Sequence, residues 1–302
     1  MRNRVLNLLV SGLAFVAIAG QTRADDVNSG HSALSMMDQP TIEHKFQINP
    51  GFTYFAEADF DDKALGDISS WRFDLPGRYT MTTDRGELGL GALYEYTEYE
   101  FSNAGGDHKF NTLAFDAYWK GMFNENWGYF LYGGLAMSAD TDADLTDGVT
   151  GVGAGGVRYV WSKDLSLGVG LSVASRLEDD PLVRPVIILN WQINDRWNLR
   201  VFNGATITWD VRGDKVWLLD AGVRYNRREW RLKEGGDDAS VIDRMVMAEL
   251  GATYRFGDRC SVRGFVGLTA GREVELRAND DEITEQDVDT SPYFGVRLMF
   301  TF

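Results

Sequence analysis

Residues 293–302 read YFGVRLMFTF, and their alternation decides the fold. Phe294, Val296, Leu298, Phe300 and Phe302 fall on one face of an extended strand, and Tyr293, Gly295, Arg297, Met299 and Thr301 on the other. One face is continuously apolar and aromatic, while the opposite face carries a charge at Arg297. A strand that closes on a bare aromatic is uncommon in soluble enzymes, so the surroundings of this strand need explaining.

The N-terminus points to secretion. Arg2 and Arg4 precede an apolar run from Val5 to Ala19, followed by Gln21-Thr22-Arg23-Ala24 and then Asp25-Asp26. A short basic region, an apolar stretch too short to span as a helix and a small residue before an acidic start make a signal peptide over 1–24. No cysteine lies near Ala24, which argues against a lipoprotein. The chain has 30 basic and 45 acidic side chains, a net charge of −15, which falls to −18 once Arg2, Arg4 and Arg23 are removed. That balance excludes nucleic acid as a partner and suits divalent cations at a cell surface. Cys260 stands alone, so no intramolecular disulfide forms. Thirty-three glycines and six prolines suit short connections between strands better than a helical bundle.

After a polar, aperiodic arm over 25–42, extended segments recur from Glu43 to the C-terminus. Their connections alternate in length. Short ones read Thr83-Asp84-Arg85, Asn124-Glu125-Asn126, Ser162-Lys163-Asp164, Asn194-Asp195-Arg196, Arg212-Gly213-Asp214 and Gly257-Asp258-Arg259. Longer, acidic ones cover 58–69, 102–109, 138–149, 176–182, 230–243 and 277–290. One long connection is missing between the Asn194 and Arg212 turns, where Asn203-Gly204 supplies a two-residue hairpin signal instead. Counting that hairpin gives fourteen strands over 43–302, and twelve if it does not span. The expected fold is all-β, an antiparallel up-and-down barrel.

Each strand then has an apolar face and a face with charges. The inward set is Glu95, Asp116, Lys120, Arg158, Asp220, Arg224, Glu249, Arg255, Arg263, Glu273 and Arg297. A soluble β-sandwich shows the same period, with the apolar side as its core. Two features favour a membrane barrel. Aromatics collect near the short turns (Trp119, Trp127, Trp161, Trp191, Trp197, Phe256), as a headgroup girdle requires. Many strands also run ten residues or more, enough to cross a bilayer at a tilt. Residues 183–193 (VRPVIILNWQI) are apolar on both faces and fit least well.

Over 43–302 the chain resembles bacterial outer-membrane β-barrels. Phe73-Asp74-Leu75-Pro76, the run from Trp191 to Leu199 (WQINDRWNL) and Ala221-Gly222-Val223-Arg224-Tyr225 resemble a barrel domain of unknown function. The resemblance implies outer-membrane lipid as surroundings and recognition of Phe294, Val296, Leu298, Phe300 and Phe302 by the barrel-assembly machinery. It carries no activity and no site residues.

Two functions are open at this point. One is a passive pore or transporter for small polar solutes, lined by the mixed inward charges. The other is a closed structural or surface-binding barrel acting through acidic loops. Asp140, Asp142, Asp144 and Asp147 have carboxylate spacing suited to loose Ca²⁺ or Mg²⁺ binding, but Leu145 and Gly151 break the EF-hand pattern. No other cofactor is expected. Catalysis is not expected either: of the histidines after the signal peptide only His108 falls in a long loop, beside Asp107, and no serine sits in a nucleophile motif.

Overall fold

Alternation of large apolar and polar residues, punctuated by Asn, Asp and Gly, builds the chain almost wholly from strands. The computed structural model describes residues 42–302 except 104–106, 178–179, 203, 234–238 and 279–280. The signal peptide and nearly all of the 25–42 arm therefore lie outside the described residues.

Sixteen segments form one sheet. The first eight are β1 (Glu43–Ile48), β2 (Gly51–Asp59), β3 (Asp67–Thr83), β4 (Gly86–Phe101), β5 (His108–Met122), β6 (Trp127–Asp140), β7 (Val149–Ser162) and β8 (Leu165–Ala174). The rest are β9 (Leu182–Asn194), β10 (Trp197–Val201), β11 (Ala205–Asp210), β12 (Trp217–Arg231), β13 (Ala239–Phe256), β14 (Cys260–Ala278), β15 (Asp281–Val288) and β16 (Pro292–Thr301). A short 3₁₀ turn, η1 (Leu145–Gly148), lies between β6 and β7.

Two pairs of segments are halves of single wall strands. β1 and β2 both pair with β3 on one side and with β16 on the other. They are separated by Asn49-Pro50, where the Pro50 carbonyl still accepts the Leu298 N–H at 2.9 Å although proline donates nothing. β15 and β16 likewise both pair with β14. The wall therefore has fourteen staves, and the pairing of β16 with β2 closes it (Val296 opposite Phe52). All ladders between consecutive staves are antiparallel, so short turns gather at one end and longer loops at the other.

The barrel is inside-out relative to a soluble protein. Leu90, Phe115, Leu131, Leu135, Leu171, Leu250 and Val266 are exposed on its outer face, whereas Arg72, Asp74, Glu95, Asp243 and Arg272 are buried within. A continuous apolar exterior over a polar interior is stable in hydrocarbon rather than in water. At the turn end the outward rings touch in series: Trp127 with Tyr159, Tyr159 with Trp161, Trp217 with Tyr254, and Tyr254 with Phe256.

Three departures from the sequence reading have physical causes. The 277–290 segment expected as a loop is mostly ladder, because β14 runs to Ala278 and β15 returns alongside it (Leu276 opposite Thr284). A hairpin pairs Val201 with Ala205 where one was expected (Asn203 itself lies outside the described residues), but its strands have only five and six residues. That is short of the roughly nine to eleven a spanning strand needs. Gly271, at φ +55°, forms a bulge in β14 that shifts the face of everything after it. Arg272 consequently turns inward and Glu273, expected in the lumen, lies on the opposite face against Arg244.

Inside the loop end, Phe60, Ile68, Tyr99, Phe110, Trp230 and Val288 form an apolar cluster. Trp230 is its centre, stacked on Phe110 with ring centroids 4.8 Å apart and edge-on to Tyr99 at 5.7 Å. Trp230→Ala is expected to cost about 3–5 kcal/mol in urea unfolding of the lipid-reconstituted barrel. A loss within about 0.5 kcal/mol, the scale of an ordinary surface change, contradicts that packing.

Candidate functional site: a divided lumen

Alternation in β3 places Arg72 and Asp74 inside while Phe73 and Leu75 face out. Inward charges from other staves meet them in layers. Nearest the loop end, Arg272 donates to Asp243 from Nε and Nη2 at 3.1 Å each, and the Tyr99 hydroxyl donates to Asp243 at 2.6 Å. Arg228 donates to Glu95 at 2.7 and 2.8 Å, with Arg72 Nε 3.6 Å from the same carboxylate. Below them Arg297 donates to Asp74 at 3.0 and 2.9 Å. Gly51 is needed beside that pair, since a Cβ there would stand 2.8 Å from the Asp74 carboxylate. Arg263 bridges Asp220 and Glu249, and Arg224 donates to Glu249 at 3.2 Å. Towards the turn end Arg78 donates to Asp116 at 2.7 Å, and Lys120 lies 2.7 Å from Glu87.

These contacts reshape the barrel. A round wall of fourteen strands is roughly 28 Å across at the backbone. Arg228 on β12 and Glu95 on β4 come from nearly opposite staves, and two side chains meeting end to end cannot bridge that width. The wall is therefore drawn inward. β12 reaches across to β6, pairing Arg231 with Ala139 in a parallel bridge. Arg231 Nε also donates to the Asp147 carbonyl at 3.1 Å, fixing the end of η1.

The lumen on one side of β12 is filled. There the inward residues of β2–β4 and β13–β16 are buried: Thr53, Thr97, Met245, Met247, Thr253, Phe265 and Thr269. On the other side, between β6 and β12, the inward residues are mostly half-exposed. They include Val152, Ala154, Arg158, Ser166, Ile188, Asn190, Asn198, Arg200, Thr206 and Thr208. Glycine here admits a neighbour: the Phe130 ring lies against Gly156 and Gly168, where a Cβ would meet it. The inward charges of β7–β11 are Arg158, Arg184 and Arg200, with Asp210 engaged at the turn end by the Gly213 and Lys215 N–H groups. This chamber is cationic, within a chain that is acidic overall.

Most inward charges expected from sequence lie in these layers. Glu95, Asp116, Lys120, Asp220, Arg224, Glu249, Arg263 and Arg297 are all ion-paired in the lumen. Arg158 belongs to the open chamber, where it lies against Met122 Sδ. Arg255 has the inward parity on β13, opposite Ser261. Arg72, Asp74, Arg78, Glu87, Arg228, Asp243 and Arg272 complete the network and were missed. Parity along their own strands would have found most of them, but their partners across the lumen leave no trace in local sequence.

The four loop aspartates do not converge. The Asp140 carboxylate accepts the Asp142 N–H, and Asp144 accepts the N–H and hydroxyl of Thr146, which hold its carboxyl below the usual range. Among the described residues no three His, Cys, Asp or Glu side chains form a metal site. His108 packs between the rings of Phe101 and Phe110, with Nδ1 3.8 Å from Asp140. Arg212-Gly213-Asp214 is a turn, with Gly213 at φ +81°. Phe294, Val296, Leu298, Phe300 and Phe302 all face outward and are exposed.

A cavity of about 360 Å³ lies within the aromatic cluster at the loop end, lined by Phe60, Tyr99, Phe110, Trp230 and Val241. It has the size for a small apolar molecule. Asp243 at its edge is committed to Arg272 and Tyr99.

The chain is thus a closed antiparallel barrel of fourteen staves with an apolar exterior and a charged, divided lumen. It belongs to the family described as "Domain of unknown function (DUF6268)", whose model matches residues 120–301. No curated protein matches. Among solved structures the chain is similar to the P. putida toluene transporter TodX, at 12% identity and TM-score 0.45, covering 86% of this chain and 90% of that one. It is similar to an outer membrane channel from Pseudomonas putida F1, at 12% identity and TM-score 0.45, covering 88% and 97%. The NanC porin matches at 8% identity and TM-score 0.37, covering 84% and 98%. These scores are too low to bear on this chain's solute or mechanism.

The Arg297–Asp74 pair offers a direct check on the packed half. Asp74→Ala leaves a buried guanidinium without its main counter-charge and is expected to cost about 3–5 kcal/mol. Asp74→Leu combined with Arg297→Met should be less destabilising than either single truncation, read as unfolding midpoints in urea. Additive losses contradict the pairing.

Proposed function

We propose that this protein is an outer-membrane channel for small solutes, whose conduit is the chamber between β6 and β12. The apolar exterior and the turn-end aromatic girdle support the membrane location, with the turns in the periplasm and the longer loops outside. Entry into that membrane follows from recognition of the Phe294–Phe302 face by the barrel-assembly machinery.

One observation carries the reading: most inward residues of β7–β11 stay half-exposed, while those of β2–β4 and β13–β16 are largely buried. A barrel built only for rigidity has no reason to keep one half of its interior lined by half-exposed Ala154, Ser166, Asn198, Thr206 and Thr208. Lining of this kind leaves water-sized space and hydrogen-bonding groups along a path. Arg158, Arg184 and Arg200 make that path favour anions, as rings of cationic side chains do in pores. The role is passage rather than catalysis, and it uses no cofactor. The alternative of a surface-binding barrel draws little support, because Asp140 and Asp144 spend their carboxylates on their own loop.

Thiol labelling tests the conduit. In a Cys260→Ser background, Ala154→Cys and Thr206→Cys should react rapidly with a water-soluble maleimide, and Thr97→Cys and Thr253→Cys should react slowly. In planar bilayers the protein should conduct with a preference for anions, and Arg158→Gln with Arg200→Gln should move the reversal potential towards the unselective value. A folded protein that is silent, with Ala154→Cys unlabelled, sinks the channel reading.

A further inference from the structure

The loop-end cavity is no part of the β6–β12 chamber. It lies on the packed side of β12, and the Arg272–Asp243 and Arg228–Glu95 pairs close it beneath. Every residue lining it is among the described ones. Its volume of about 360 Å³ is far beyond a packing defect, since protein interiors hold few voids larger than a water molecule. An apolar cavity of about 150 Å³ already admits benzene, so this one suits a body of one or two rings.

The lining has two shells. Leu65, Phe101, Leu232, Val241, Val274 and Leu276 border the open space and are half-buried. Behind them Trp230, Tyr99 and Ile68 are buried and form the backing.

This wall is braced against collapse. Trp230 stacks on Phe110 and meets Tyr99 edge-on. The Tyr99 hydroxyl is tied to Asp243, which Arg272 holds in turn. At the rim Phe101 stacks with Phe60, ring centroids 6.2 Å apart, and meets His108 edge-on at 5.7 Å. Phe60 is itself fixed by a backbone bridge to Val288. An apolar cavity costs stability because its lining loses contacts, and a core without such braces relaxes into it. A preformed space loses less freedom when a ligand enters.

The chemistry of the space is apolar and uncharged. Asp243, the carboxylate in the lining, is neutralised by Arg272. Gln286 Nε2 donates to Thr284 Oγ1 at 3.1 Å, so these two polar groups answer each other. A charged solute entering here loses its hydration against rings and aliphatic carbons. A neutral apolar one gains by leaving water.

We propose that this cavity is a binding site for a small neutral apolar molecule of one or two rings, separate from the β6–β12 chamber. Phe101, Leu232, Val241 and Leu276 take its body, and the floor of ion pairs stops it from passing on. The site stands whether or not the chamber conducts.

The test uses the full barrel in lipid nanodiscs, with folding checked by heat-modifiable gel migration and radiolabelled naphthalene as the probe in equilibrium dialysis. Empty nanodiscs take up naphthalene in proportion to its concentration, and the barrel should add a saturable component. Val241→Phe and Leu276→Phe, at facing positions of the β13–β14 ladder, fill the cavity from its wall. Each should weaken the saturable component by about ten-fold or more. Leu250→Phe, on the lipid face, should leave it unchanged, and naphthoate should compete far more weakly than naphthalene. In the unaltered barrel, photolysis of phenyl(trifluoromethyl)diazirine, whose carbene inserts into C–H bonds, should mark Phe101, Val241 and Leu276, and excess naphthalene should protect them. Uptake equal to that of empty nanodiscs overturns the site. So does saturable binding that both filled variants keep, or carbene labelling confined to lipid-facing Leu131 and Leu250. Equal competition by naphthoate overturns the neutral class. The thiol labelling of the chamber is unaffected by any of these outcomes, so the channel reading fails or stands by itself.

Discussion

The ion pair between Arg228 and Glu95 joins walls that a round barrel would hold far apart, and much of the molecule follows from it. A buried charge pair contributes little net stability, because desolvation offsets attraction. Its consequence is geometric: neither group tolerates being left alone in a low-dielectric interior, so the strands carrying them must stay together. With Arg228 inside, Trp230 two residues on falls on the same face and completes the aromatic cluster with Phe110 and Tyr99. Arg231 then meets Ala139 across the lumen. β12 thereby becomes a partition as well as a stave.

The partition explains why one wall has two characters. On one side, most inward side chains are matched by charge or packed by rings, and the result is a packed core inside the barrel. On the other, glycine, alanine, short polar residues and three arginines line the wall, and most of their side chains stay half-exposed. A packed half and a half-exposed half are two results of a single inward bend.

Much of this was legible before the structure. Period-two faces, turn chemistry and the alternation of short and long connections are local, and they point to the strands, the stave number and a part of the lumen charges. Glu273 was misplaced because one bulge at Gly271 reverses parity, and a glycine in a strand does not announce its φ. The crossing of Arg228 to Glu95 was invisible for a different reason. The two residues are 133 positions apart, and nothing in either strand encodes which opposite stave it will meet.

The account stands most directly on the closeness of β6 and β12 at the loop end. In a Cys260→Ser background, Ala139→Cys and Arg231→Cys should form a disulfide on mild oxidation in lipid, since a disulfide requires Cα atoms within about 7 Å. In a round fourteen-stave wall the same positions stand on the order of 25 Å apart. Rapid bridging in the folded barrel is the predicted result. A folded barrel in which both thiols stay free would contradict the partition, and with it the division of the lumen.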